Sequence, residues 1–286
     1  MSLIRVVSYN IHKGRSALGR LESLSELRLG LYGLRPDLVF LQEVQGRNEQ
    51  ASVLDAQHES LAAALRLEAA YGRNAIRHRT DHGNALLSRY PILGHENQDI
   101  SDHKLEQRGL LHARLEINER EVHCFVVHLG LFAGSRSRQI HALTDRIQRL
   151  VPADAPILIA GDFNDWSDRL SPLFVRQLGL YEVFSYAPRT HGGDMPKLRD
   201  SVRRLGNTLL GRPNELDLKQ RVNQLGASGA YCSAPPPRTF PSVFPWFRLD
   251  RIYQRGFAVR SARVLRGREW ARLSDHSPLL AELELP

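Results

Sequence analysis

The sequence predicts a mixed α/β (α+β) fold built as a sandwich, and three observations predict it. Short apolar strands alternate with segments whose leucines and isoleucines recur at helical spacing. Hairpins interrupt that alternation, which argues against a purely parallel sheet. Several apolar strands carry a polar group at one end: Val6-Val7-Ser8-Tyr9-Asn10, Leu38-Val39-Phe40-Leu41-Gln42-Glu43, and Ile157-Leu158-Ile159-Ala160-Gly161-Asp162-Phe163-Asn164. Ser274-Asp275-His276-Ser277-Pro278 adds another, ahead of a final apolar run. Strands that aim oxygen ligands and an imidazole outward describe one metal-dependent site.

The elements follow in order. A first strand ends at Asn10, and His12-Lys13-Gly14-Arg15 forms a loop. Leu21, Leu24, Leu27, Leu31 and Leu34 set a helix, which Arg35-Pro36-Asp37 breaks before the strand ending at Glu43. Residues 51–67 read as a second helix with Leu54, Leu61 and Leu65 on one side. Residues 84–88 form a short strand stopped by Tyr90-Pro91. Residues 111–116 and 121–128 pair through Ile117-Asn118-Glu119-Arg120. A helix over 138–150 turns Ile140, Leu143, Ile147 and Leu150 inward. The Asp162 strand comes next, then a helix over 171–178 ended by Gly179. Residues 247–253 form a strand carrying Asp250, and 268–280 a last strand-loop-strand.

The whole chain, 1–286, reads as a single domain with one insertion at about 186–237. There the sequence turns polar, basic and rich in Gly and Pro. Leu198, Val202, Leu205 and Leu209 recur at helical spacing among Arg199, Arg203, Arg204 and Arg212. The insertion is either a helix packed on the body with a solvated basic face, or a flap over substrate or against an anionic membrane.

Composition narrows the classes. A hydrophobic fraction of 42% with 24% charged residues describes a soluble protein with a sizeable core. No run of about 18 apolar residues exists, so no transmembrane helix is expected. A strand pattern begins almost at once, leaving no room for a cleaved leader, and a cytoplasmic location is expected. Cys124 and Cys232 are expected as two unpaired thiols, with a lone disulfide as the alternative. The net charge of +8 comes from arginine, because lysine occurs only at positions 13, 104, 197 and 219. A basic balance suits polyanionic partners such as nucleic acid, acidic lipid or phosphorylated metabolites, though a preference for Arg codons accounts for it equally well.

The polar strand ends suggest specific chemistry. A hard divalent cation such as Mg²⁺ takes oxygen ligands and keeps much of its water, binding through one or two carboxylates and the substrate phosphate. Glu43 with Asn10 beside it suits that role. Asp162 and Asn164, two residues apart, lie on one side of an extended chain and could hold a water against phosphorus. His128 ends a strand, and a second histidine, His276, has candidate carboxylate partners in Asp250 and Asp275. Such a partner fixes the tautomer and raises basicity.

Asn10, Gln42-Glu43, Gly161-Asp162-Phe163-Asn164, Leu249-Asp250-Arg251-Ile252 and Ser274-Asp275-His276 stand in the order found in the endonuclease/exonuclease/phosphatase superfamily, which the chain resembles over nearly its whole length outside the insertion. That resemblance implies a deoxyribonuclease I-like four-layer sandwich with the site at one edge of two central sheets. It implies Asn10, Glu43 and the further acid Asp275 at a metal site for Mg²⁺, with Mn²⁺ as an alternative. Asp162 would orient or deprotonate water, Asn164 would contact phosphate, and His276, buttressed by Asp250, would bind the scissile phosphate or move a proton. His128 matches a second histidine of the deoxyribonuclease I and sphingomyelinase branches and could protonate the leaving oxygen. The abasic-site branch has a tyrosine there and an acid where this chain has His12, which argues against a dedicated abasic-site enzyme.

The resemblance thus implies a metal-dependent phosphoesterase, most simply a phosphodiesterase acting on nucleic acid. Alternatives are a phospholipid phosphodiesterase in peripheral contact with an anionic membrane, a phosphomonoesterase, or a non-catalytic binding module. Substrate contacts are expected at His12, Asn84, Phe240, Trp246 and Arg248. Asn84 has an equal structural reading. The segment Arg238-Thr239-Phe240-Pro241-Ser242-Val243-Phe244-Pro245-Trp246-Phe247 either anchors in the core or forms an apolar lip of the cleft.

Overall fold

The computed structural model describes residues 2–19, 21–48, 56–77, 80–103, 106–166, 171–187 and 235–286. In chain order these form β1 (Ser2–Asn10), α1 (Leu24–Leu34), β2 (Leu38–Asn48), α2 (Gln57–Leu65), β3 (Glu68–Arg77), β4 (Thr80–Ser88), β5 (Ile92–Asp99), β6 (Gly109–Ile117) and β7 (Arg120–His128). Then come α3 (Ala133–Leu150), β8 (Ile157–Asp162), α4 (Ser171–Leu178), β9 (Tyr181–Glu182), α5 (Val183–Tyr186), β10 (Asp250–Arg255), β11 (Ala258–Val264), α6 (Arg268–Ala271) and β12 (Leu279–Leu285). One six-stranded sheet runs β11-β12-β1-β2-β4-β3, the other β5-β6-β7-β8-β10-β9.

Two mixed sheets and flanking helices give the expected four layers. Ile4, Val6, Phe40 and Leu86 of the first sheet meet Leu111, Cys124, Val126 and Ala160 of the second in the central core. Successive side chains of a strand point to opposite faces. Val7, Val39 and Leu41 therefore pack outward under α1, α2 and Trp270, while Phe125, Val127 and Ile159 pack under α3 and α4. Strands buried on both faces must be apolar throughout, which is why β1, β2, β7 and β8 are plain in the sequence. Cys124 is buried and free, and Cys232 lies outside the described residues. No helix among the described residues is long and apolar enough to cross a membrane.

The structure corrects several local expectations. β2 does not stop at Glu43; it bulges there and runs on to Asn48. Residues 268–271 form the short helix α6 rather than a strand, placing Trp270 in the outer core of the first sheet. Asp250 opens its strand instead of sitting within it. Leu21 precedes α1 and is 71% exposed, and Leu150, in the last turn of α3, is 46% exposed. The described part of the second helix is 57–65, and Leu54 lies outside the described residues. So does nearly all of the insertion, residues 188–234, with its expected amphipathic helix. β3, β5 and β11 had no sequence signal. They lie at sheet edges, and β5 (Ile92–Asp99) has no buried residue and is largely polar. The β6–β7 hairpin forms as expected, turning through Asn118 and Glu119 at φ 53° and 62°.

Candidate active site

Strand direction assembles the site. β1 and β2 are parallel and reach the same edge of the first sheet, with Asn10 opposite Gln42. β7 and β8 are parallel in the second sheet, with His128 opposite Asp162. β10 and β12 run antiparallel to their neighbours, so their N-terminal ends lie where the others finish, and Asp250 faces Asp162. His128, Asp162 and Asp250 thus form one row across three adjacent strands. Gly161 makes the approach of β8 to β7 feasible. It adopts φ 149°, and a Cβ there would lie 1.9 Å from the Val127 carbonyl oxygen.

Asp162 is the hub. Its Oδ2 accepts from Asn10 Nδ2 at 3.3 Å, a bond that crosses from one sheet to the other. The same oxygen lies 3.6 Å from His128 Nε2 and 3.6 Å from His276 Nε2. Its Oδ1 accepts from the Asn164 N–H at 3.0 Å. Asn164 takes the left-handed conformation, φ 48°, and donates its Nδ2 to the Leu129 carbonyl at 2.8 Å. His276 Nδ1 bonds Asp250 Oδ2 at 2.9 Å. All of these side chains are buried.

Charge is distributed unequally over the two histidines. Burial opposes protonation of His276, but Asp250, Asp162 and Asp275 outweigh it and raise its pKa to about 10. Burial, reinforced by Arg108, His276 and His82 and opposed by Glu43, holds His128 well below the ordinary range, so that ring is neutral at pH 7. Burial also raises Asp162, against the pull of His276. Glu43 goes the other way. Burial would raise it, but His128, Lys13, His276 and the Asn10 amide bring it down to about 2. Since His128 is itself neutral, the standing charges beside Glu43 are Lys13 and His276.

Glu43 occupies the bulge in β2, at φ 54°. Bulges re-aim side chains beside functional sites, and here the bulge turns the carboxylate toward Asn10 Nδ2 at 3.4 Å and Lys13 Nζ at 3.5 Å. The Asn10 oxygen accepts the His12 N–H at 3.1 Å and is already engaged. Asp275 Oδ1 lies 3.7 Å from His12 Nδ1, which brings both to the same rim.

The remaining expected residues fall in two groups. Phe240 stacks obliquely on His276 with centroids 4.9 Å apart, and Trp246 is 60% exposed beside Phe244. The segment is tied to the site by Ser242 N–H to Asp275 O at 2.7 Å and Ser277 N–H to Thr239 O at 2.8 Å. It forms an apolar lip, with Phe244 and Phe247 exposed rather than in the core. Arg248 turns its guanidinium to the Pro236 carbonyl. Asn84 is sealed between the sheets, donating Nδ2 to Gly109 O at 2.9 Å and Val126 O at 3.3 Å. Sequence reading passed over Lys13, Arg108, His82 and Trp166. Trp166 is 53% exposed, with its ring 5.3 Å from Phe247. Its one signal was adjacency to the Asp162-Phe163-Asn164 segment.

Comparison with known proteins fits this geometry. Residues 7–276 match the Endonuclease/Exonuclease/phosphatase family. The chain belongs to that family. Family members are phosphoric ester hydrolases, and this protein is an enzyme of that class. It is 36% identical over 289 aligned positions to the uncharacterized protein YbhP of Escherichia coli (strain K12), covering 98% of this chain and 96% of that one. An endonuclease/exonuclease/phosphatase from Beutenbergia cavernae has the same fold, with TM-score 0.70 and 19% identity over 100% of this chain and 72% of that chain. So has D. rerio TDP2, solved with a single-strand DNA product, with TM-score 0.60 and 17% identity over 99% and 100% of the two chains.

The family typically uses a divalent metal, and the donors here fit one. Asp162, Asp250 and His276 place ligand atoms within 4.8 Å of one another. His276 already engages Asp250 Oδ2 through Nδ1 at 2.9 Å within that cluster. Asp250 Oδ1 is buried with no hydrogen-bond partner among the described residues. Glu43, ionised and partly exposed beside Asn10, supplies an oxygen donor of the kind a hard cation takes.

Proposed function

We propose that this protein is a Mg²⁺-dependent phosphodiesterase, with Mn²⁺ as a substitute, that cleaves nucleic acid by attack of water on phosphorus. The convergence of two histidines of different charge on Asp162 carries the reading. A protonated His276, clamped by Asp250, would stabilise charge on the phosphoryl oxygens. Asp162 would orient the attacking water and take its proton. Neutral His128 would offer one N–H hydrogen bond to the ester, and Asn164 would fix the loop around it. Glu43, oriented by the buried Asn10 amide, and Asp275 would hold the metal, which when bound would supply Lewis-acid polarisation of phosphate.

Nucleic acid is favoured over other phosphodiesters by two features together. The chain is basic overall, and Phe240, Phe247 and Trp166 form an aromatic lip against His276, with the exposed Trp246–Phe244 pair on the same segment, on which bases could stack. The DNA product held by D. rerio TDP2 on the same fold agrees with this.

The test is cation-dependent hydrolysis of bis-p-nitrophenyl phosphate by the wild type and His276→Ala, followed by single-stranded DNA, RNA and phospholipid in parallel. Activity that disappears with chelator and in the variant, with DNA or RNA turned over faster than lipid, supports the proposal. Turnover of phospholipid alone would replace the substrate assignment, and no diester hydrolysis with Mg²⁺ or Mn²⁺ would end it.

A further inference from the structure

The turn after β1 presents a cation, Lys13, to the site in a way that its surroundings enforce. His12, Lys13 and Gly14 take successive left-handed conformations, φ 47°, 57° and 68°. L side chains avoid that region, and such strain persists only where neighbouring structure imposes it. Three contacts do so here. The Asn10 carboxamide oxygen accepts the His12 N–H at 3.1 Å. The buried Gln57 donates Nε2 to Lys13 O at 2.8 Å and accepts the Gln45 N–H at 2.9 Å, tying the turn to β2 beyond the bulge. Gly14 holds φ 68°, a conformation that favours glycine, and a Cβ there would sit 2.6 Å from Gln57 Nε2 and displace it.

The enforced turn brings Lys13 Nζ to 3.5 Å from Glu43 Oε2. Glu43 is the carboxylate assigned to the metal, so an ammonium stands against the group a divalent cation would bind. The Lys13 side chain is 42% exposed, which leaves its stem free to swing. An ammonium is a compact charge with rotatable donors, suited to giving up one oxygen partner for another. Lysine fills this place in a chain that otherwise uses arginine almost throughout.

We infer that Lys13 is a resident counter-ion of Glu43, one that yields the carboxylate to a divalent cation and then binds the phosphoryl oxygens of the substrate. Removing its charge therefore favours the cation and disfavours the substrate. This rests on the metal-dependent phosphodiesterase reading above, and its test separates the two.

Mn²⁺ is titrated into wild type, Lys13→Met and Lys13→Arg, with free ion followed by electron paramagnetic resonance. Kinetics on bis-p-nitrophenyl phosphate are then measured at saturating Mn²⁺. Lys13→Met is expected to bind Mn²⁺ about 2- to 5-fold tighter, the scale of a partly exposed ion pair. Its KM should rise about tenfold, the scale of a lost hydrogen bond to a charged group, with kcat within about threefold. Lys13→Arg keeps the charge and should leave Mn²⁺ affinity within about twofold. Thermal unfolding of each variant confirms that the fold is intact. Unchanged or weaker Mn²⁺ binding by Lys13→Met, or an unchanged KM, overturns the inference while leaving the enzyme reading in place. A wild type that binds no Mn²⁺ and hydrolyses no diester removes the reading itself, and the inference with it.

Discussion

Asp250 lies directly opposite Asp162 across the β8–β10 pair, and the His276 imidazole stands between the two carboxylates, 2.9 Å from one and 3.6 Å from the other. Two buried acids so placed repel each other unless a cation separates them. The imidazolium both makes the arrangement stable and charges the site. Asp250→Asn should therefore lower the His276 pKa and reduce diesterase activity by about a hundredfold or more. Imidazole titration by NMR checks the first effect and steady-state kinetics the second.

The same pair sets a pH dependence of stability. His276 is raised in the folded protein to about 10 from an ordinary 6.5. A raised cation stabilises fully below its unfolded pKa and loses that contribution as pH rises through the folded one. Wild type should lose stability between about pH 6.5 and 10 more steeply than Asp250→Asn. Urea titrations across that range measure it, and equal slopes would falsify the clamp.

Glu43 predicts the opposite limb. Its pKa falls from 4.5 to about 2 on folding, so its stabilisation is present above about pH 4.5 and lost as pH drops toward 2. Glu43→Gln should flatten that acid limb. Chelator should abolish wild-type activity, with Mg²⁺ or Mn²⁺ restoring it. Glu43→Gln should be at least about a hundredfold impaired at any cation concentration.

Gly161→Ala should be severe although it adds one methyl. The Cβ would overlap the Val127 carbonyl at 1.9 Å, and the β7–β8 pairing that aligns His128 with Asp162 cannot persist. A loss of more than about 3 kcal/mol is expected from denaturant unfolding.

Glu119→Gly should stabilise. Asn118 and Glu119 both hold positive φ in a two-residue hairpin turn, a position where Asn-Gly is the favoured pair. Relieving the left-handed glutamate should add about 1 kcal/mol, read as a small rise in Tm.

Trp246→Ala should separate small from polymeric substrates. The ring is exposed on the lip, so hydrolysis of bis-p-nitrophenyl phosphate should hardly change. Binding of single-stranded DNA should weaken by about tenfold, the scale of one lost stack. Equal effects on both substrates would argue against the lip as a base-stacking surface.

Much of this is legible in the sequence. β1, β2, β7 and β8 are buried on both faces, so Val6-Val7, Leu38-Val39-Phe40-Leu41 and Ile157-Leu158-Ile159-Ala160 announce themselves. The polar residues that end them are conspicuous for the same reason. β5 was illegible because an edge strand with exposed faces needs no apolar pattern. α6 was misread because a single turn is too short to show a helical period.

The sequence by itself determined the layered α/β class, the central strands, and which acids, amides and histidines sit at their ends, because burial writes composition directly into the chain. The tertiary structure decided how those ends relate. Strand register set Asp250 against Asp162, a bulge turned Glu43 toward Asn10, and a strained turn brought Lys13 to Glu43. The unequal charge of His128 and His276 was decided there as well. It depends on which carboxylates and cations lie within a few ångströms, and residues far apart along the chain carry no record of that distance.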